Sequence, residues 1–142
     1  MKIAIGADHG GFEMKEQLKA LLVRLGHEAV DVGCHSTASV DYPDFAAALS
    51  EQIVSGNCPL GILICGTGIG MSIAVNRNPK IRGALCHDEF TARLSREHND
   101  ANVLCIGARV TGPGLADAIV RTWLSSAFEG GRHQIRVSKY SH

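Results

Sequence analysis

The chain has 142 residues, 45% of them apolar and 20% charged, which fits a single domain over residues 1–142 with a real core. Fourteen basic residues balance 14 acidic ones, for a formal net charge of zero. That argues against a nucleic-acid partner, which needs a basic excess or stripe, so any anionic ligand must be small and met by a local cluster of charge.

Lys2–Ala7 is the first strand candidate. The chain enters it directly, with no signal-peptide h-region, and no apolar run approaches the ~20 residues that span a bilayer. Leu18, Leu21, Leu22 and Leu25 then fall at helical spacing, with Gly26 as the C-cap. Glu28–Val32 is the second strand. Phe45, Leu49 and Ile53 mark a second helix, beginning just after Pro43. Leu60–Cys65 is the third strand and leads through Cys65-Gly66-Thr67-Gly68-Ile69-Gly70 into a helix whose first residues are Met71 and Ser72. Arg82–Cys86 and Val103–Gly107 are the fourth and fifth strands, and Leu115, Ile119 and Trp123 form a helical stripe after Pro113. Strands this rich in Ile, Val, Leu and Ala, without polar alternation, suit a parallel sheet buried on both faces. The rhythm predicts an open, doubly wound α/β sheet with right-handed crossovers.

Ligands of such sheets sit outside the carboxyl ends of the strands. The first strand ends at Asp8-His9-Gly10-Gly11 and the third at Cys65 and its glycine loop, so both should face one crevice. Glycines let backbone N–H groups turn inward, and a helix start adds positive potential, which together suit an oxyanion or phosphate. The loop matches neither a dinucleotide fingerprint nor a Walker loop, and a C-x5-R phosphatase would need Arg where Met71 stands.

Cys65 reads either as a small buried hydrophobe, as most free cysteines are, or as a reactive thiol activated by the adjoining helix start. Activation matters, because an ordinary thiol is only a few per cent thiolate near neutrality. Thr67 is either a turn residue or a hydroxyl in the same anion hole. The five cysteines are odd in number and lack a C-x-x-C pair, unlike a disulfide framework or zinc knuckle, and predict a reduced, cytoplasmic setting. Cys86 and Cys105 read as core, Cys34 and Cys58 as loop or surface.

Asp8-His9 is a cap or an acid–base pair, and His98-Asn99-Asp100 a solvated loop or part of a site. No H-E-x-x-H or H-x-H spacing supports a metal. Arg132 and Arg136 stand at i and i+4 on one helix face, where two guanidinium forks can hold a phosphate; Arg109 is a third candidate for that clamp.

Five segments, Ile5–Phe12, Asp41–Pro43, Ile64–Gly70, Ser95–Asn102 and Gly130–Arg136, closely resemble the ribose-5-phosphate isomerase B family, which includes allose- and galactose-6-phosphate isomerases. They span nearly the whole chain in the family's order. The resemblance implies a three-layer α/β/α, Rossmann-like domain with five parallel strands. It implies a homodimer or dimer of dimers, no cofactor, no metal, and a sugar phosphate as the small-molecule partner. Carried over, Cys65 is the base that moves a proton between C1 and C2, and Thr67 with the Gly66, Gly68 and Gly70 amides holds the enediolate oxygen. His98, assisted by Asp8, opens the furanose ring. His9, Arg109, Arg132 and Arg136 bind phosphate, while Tyr42 and Asn99 line the sugar site. In the family the Cys65 half of one subunit meets the His98 half of another. Cys65 together with Met71 places the chain in the cysteine-using branch, since the other branch has Glu at that second position. The implied reaction is ribose 5-phosphate to ribulose 5-phosphate through a cis-enediolate, as in the pentose phosphate pathway. A hexose 6-phosphate isomerase and a non-catalytic phosphosugar-binding module are the competing readings.

Overall fold

Alternating apolar runs and amphipathic stretches build five strands, β1 (Lys2–Ala7), β2 (Glu28–Gly33), β3 (Leu60–Cys65), β4 (Gly83–Leu85) and β5 (Val103–Gly107). In the computed structural model, which describes residues 1–140, they pair in parallel throughout, in the order β2-β1-β3-β5-β4. Three strands match the sequence expectation residue for residue. The edge strand β4 is shorter than Arg82–Cys86 because only β5 pairs with it.

The described residues also form six α-helices: α1 (Phe12–Arg24), α2 (Tyr42–Val54), α3 (Ile69–Val75), α4 (Glu89–Glu97), α5 (Pro113–Ser125) and α6 (Arg132–Val137). Because successive strand residues point to opposite faces, the sheet feeds two cores. Ile3, Ile5, Ile62, Ile64, Leu104 and Ile106 pack with residues of α1, α4 and α5, around the fully buried Trp123. Ala4, Leu63, Cys65, Val103 and Cys105 pack with residues of α2 and α3. The result is the expected α/β/α sandwich.

Details at the element ends differ from the sequence expectation. The cap of α1 is Leu25, and Gly26 follows it with φ of +86°, the left-handed residue that lets the chain turn away. Helix α3 begins at Ile69, two residues before Met71, so Ile69 and Gly70 belong to its first turn. No apolar stripe reveals α4, whose sequence Glu-Phe-Thr-Ala-Arg-Leu-Ser-Arg-Glu is mostly polar and whose buried residues are Ala92 and Ser95. Asp88 starts it by accepting the Thr91 amide at 2.7 Å, and His98 ends it as C-cap. His98 thus stands at a helix terminus rather than in a free loop.

Cys34 and Cys58, expected in loops or at the surface, are both buried, at 4% and 0% exposure. Cys34 continues the β2–β1 ladder past Gly33, its amide donating to Ala7 O at 2.8 Å, and Cys58 packs into the α2-side core. Cys86 and Cys105 are buried as expected.

One charge cluster ties α1 to β2. The side chain of Lys15 is fully buried, with Nζ 2.6 Å from Asp31 Oδ2 and 2.9 Å from Glu16 Oε1. Lys19 reaches the same Asp31 oxygen at 2.8 Å.

Strand β1 connects to β2 on one side, and the chain then returns to β3 on the other. The carboxyl ends of β1 and β3 therefore flank the switch in winding direction, the place where open α/β sheets hold ligands.

Candidate active site

At the end of β1, Asp8 turns its carboxylate back on its own chain. Oδ1 accepts the Gly10 and Gly11 amides at 2.9 and 3.2 Å and caps the short 3-10 turn His9–Gly11. The capping role and a site role are compatible, since Asp8 also borders the crevice. The Asp8 amide donates to Ile64 O at 3.2 Å, which holds the turn against β3. His9 Nδ1 accepts the Val40 amide at 3.1 Å, so the tautomer compatible with that bond carries its proton on Nε2.

At the end of β3 the sulfur of Cys65, 5% exposed, accepts the Gly68 amide at 3.2 Å. A negatively charged sulfur uses such a donor more strongly than a neutral thiol does. Gly68 can present its amide there because its φ is +78°, a conformation that costs glycine nothing. Thr67 Oγ1 accepts the Ile69 amide at 3.3 Å, just ahead of α3, whose N-cap is Gly68. Two of the loop's amides are thus already directed to Cys65 and Thr67 side chains. Tyr42 covers the other wall: a β-carbon at Gly70 would lie 2.6 Å from its Cζ.

Arg109 follows β5. Its amide donates to Gly66 O at 2.9 Å, and its guanidinium crosses both glycine turns. A β-carbon at Gly66 would lie 3.3 Å from Nη1, and one at Gly10 would lie 3.6 Å from Nη2. Arg109 therefore belongs with Cys65, not with Arg132 and Arg136, within one chain. Asp8, Tyr42, Cys65, Thr67 and Arg109 line a cavity of about 430 Å³.

The remaining expected residues gather elsewhere. His98 and Asn99 close α4, while Arg132 and Arg136 occupy exposed positions one turn apart on α6. Asn99 Nδ2 donates to the Tyr140 hydroxyl at 3.0 Å. The cavity around Cys65 includes none of these four residues. Asp8, occupied by the Gly10 and Gly11 amides, does not assist His98 within the same chain. Among the described residues, Arg109, Arg132 and Arg136 have no carboxylate within ion-pair range. Three cationic forks are left available to an anion.

The expected site residues thus gather in two separate groups, one around Cys65 and one around His98. The Ribose/Galactose Isomerase family matches residues 3–140. The chain belongs to that family. It is 48% identical over 136 residues to ribose-5-phosphate isomerase B of Escherichia coli, covering 96% of this chain and 91% of the relative. It is likewise similar to the solved structure of Clostridium thermocellum ribose-5-phosphate isomerase B, with a TM-score of 0.97 and 53% identity over 98% of this chain and 94% of that one. A Thermotoga maritima ribose 5-phosphate isomerase gives a TM-score of 0.96 and 50% identity, covering 99% and 97%.

Two groups were not legible in the sequence. His133, inside the Gly130–Arg136 segment, stacks on His98 with ring centroids 4.1 Å apart and planes 12° apart. Glu129 Oε1 lies 3.5 Å from His98 Nε2 and 3.6 Å from His133 Nε2. Burial, then the charges of His98 and Arg132, pushes the His133 pKa down. The available signal was the i, i+4 spacing of Glu129 and His133, but the Gly130-Gly131 pair between them obscures any helix there.

Proposed function

We propose that the protein interconverts ribose 5-phosphate and ribulose 5-phosphate by proton transfer through a cis-enediolate. The observation that carries this reading is the Gly68 amide on Cys65 Sγ, at the rim of a cavity that Arg109 also lines. A base, a fixed donor beside it and an unpaired cation are what an enolising phosphosugar requires. Cys65 takes the proton from C2 of the open aldose and returns it to C1. Thr67 and the glycine-loop amides hold the enediolate oxygen as charge develops, a term worth roughly 2.7–4 kcal/mol per well-placed donor. Phosphate held by His9 and the arginines supplies orientation remote from the reacting carbons.

The two separated residue groups support a shared site. Asp8, His9, Tyr42, Cys65, Thr67 and Arg109 of one copy would face His98, Asn99, Arg132 and Arg136 of a second, so the working unit is a homodimer or a dimer of dimers. The chemistry consists of proton transfers and draws on no cofactor. No described helix is long and apolar enough to cross a membrane, and the odd, unpaired set of cysteines suits the cytoplasm.

Purified protein treated with EDTA should convert ribose 5-phosphate, and Cys65→Ala should be almost inactive. A Cys65→Ala variant with wild-type turnover would remove Cys65 as the base. A folded wild type that ignores ribose 5-phosphate would require a six-carbon substrate, and failure there too would favour a binding module.

A further inference from the structure

His98 is not a solitary imidazole. The backbone amide of Glu129 donates to Glu97 O at 3.0 Å, which fastens residue 129 to the last residue of α4, next to His98. The chain then turns through Gly130 and Gly131, with φ of +66° and +55°, and the His133 amide closes on Gly130 O at 3.0 Å. This turn brings Glu129 and His133 to one side of His98. One carboxylate oxygen stands 3.5 Å and 3.6 Å from the Nε2 atoms of the two stacked rings.

We propose that Glu129 is a positioning residue for His98: its carboxylate receives the Nε2–H, fixing the tautomer, while the His133 ring fixes the plane, so that Nδ1 is the nitrogen presented to the sugar. A carboxylate behind an imidazole sets which nitrogen keeps the proton and steadies the imidazolium that forms. The same carboxylate also faces His133, whose pKa is nonetheless lowered by burial and by the charges of His98 and Arg132, while His98 is the ring at the end of α4 that it meets at 3.5 Å.

The consequence rests on the isomerase reading. Opening a furanose moves the anomeric O1 proton to Nδ1 while the O–H pair becomes the C1=O bond. The C1–O4 bond breaks with its pair on O4, and Nδ1 returns the proton there. Nothing is oxidised or reduced, and the Glu129 carboxylate balances the positive charge that the His98 ring carries between the two transfers. Because its side chain is 54% exposed, water screens it. The effect of removing it should therefore be about tenfold, below the ~10²–10⁴ of a complete acid–base group.

Nitrogen-15 NMR of histidine-labelled protein tests the tautomer directly, with His98→Asn assigning the signal. Wild type should show His98 protonated at Nε2; Glu129→Ala should lose that preference, and Glu129→Gln, whose side-chain carbonyl still accepts, should restore most of it. A wild-type His98 protonated at Nδ1, or a preference that survives Glu129→Ala, overturns the proposal whether or not the protein is an isomerase. In turnover of ribose 5-phosphate, Glu129→Ala should lower kcat about tenfold, and Glu129→Gln, which restores the acceptor but not the charge, should recover it only in part. An unchanged kcat in Glu129→Ala overturns the catalytic consequence. Absence of wild-type turnover alongside the expected tautomer shift would instead remove the isomerase reading and leave the positioning intact.

Discussion

The backbone amide of Gly68 points at Cys65 Sγ from 3.2 Å, and it does so because residue 68 sits in the left-handed region at φ of +78°. The space there is closed as well: a β-carbon would lie 2.6 Å from Leu85 Cδ1 and 2.9 Å from the Ile106 carbonyl carbon. Backbone and packing both demand glycine. Gly68→Ala is expected to lower stability by roughly 1–3 kcal/mol and to reduce kcat more than KM. Urea unfolding alongside steady-state kinetics checks both, and an unperturbed variant would show that the loop relaxes without cost.

Arg132 and Arg136 present two guanidinium forks one turn apart on α6, with no carboxylate in ion-pair range among the described residues. Arg132→Ala should mainly raise KM for a sugar phosphate and leave kcat within a few-fold, since the phosphate is remote from the reacting carbons. An unaltered KM would take Arg132 out of the phosphate clamp.

The separation of Cys65 from His98 leads to a mixing experiment. Cys65→Ala and His98→Asn homodimers should each be nearly inactive. In a hybrid of the proposed homodimer, the intact Cys65 of one chain should meet the intact His98 of the other. Random reassociation should therefore restore about a quarter of wild-type activity, because half the dimers are hybrids with one good site of two. No recovery in verified hybrids would place each site within one chain, and a fully active monomer in solution would end the shared-site reading.

Asp31 accepts Lys15, Lys19 and the Gly33 amide at once. Burial by itself would raise its carboxyl pKa. The hydrogen bonds from Lys15, Lys19 and Gly33 outweigh that and hold it below the usual value. Asp31→Asn leaves the fully buried Lys15 ammonium with only the half-exposed Glu16, and should cost about 3 kcal/mol at pH 7. With the folded pKa depressed, the contribution is complete above the unfolded carboxyl value and fades as pH falls through the folded one. Denaturant titrations from pH 7 down to 3 should show the wild-type advantage shrinking in the acid range. A gap independent of pH would attribute the loss to shape rather than charge.

Much of the architecture was legible because buried parallel strands write themselves as unbroken apolar runs; β1, β3 and β5 could be bounded to the residue. The Cys65 loop was legible for a related reason, since a glycine-rich turn after such a strand has few structural uses. Helix α4 was not, because its polar residues outnumber the small buried face formed by Ala92 and Ser95. Cys34 and Cys58 were misplaced because one extends the β2–β1 ladder beyond its strand and the other packs into the α2-side core, and adjacency in sequence says nothing of that depth.

The sequence by itself determined the fold class, the strands and the chemical types gathered at their carboxyl ends, all of which depend on local periodicity and short motifs. Only the tertiary structure decided how those types are grouped. It put Arg109 with Cys65 rather than with Arg132 and Arg136, turned the Gly68 amide to the sulfur, and brought Glu129 to His98 and His133. Those relations depend on strand order, 2-1-3-5-4, and on the turn at Gly130-Gly131. Both join residues far apart along the chain, beyond the reach of any local pattern.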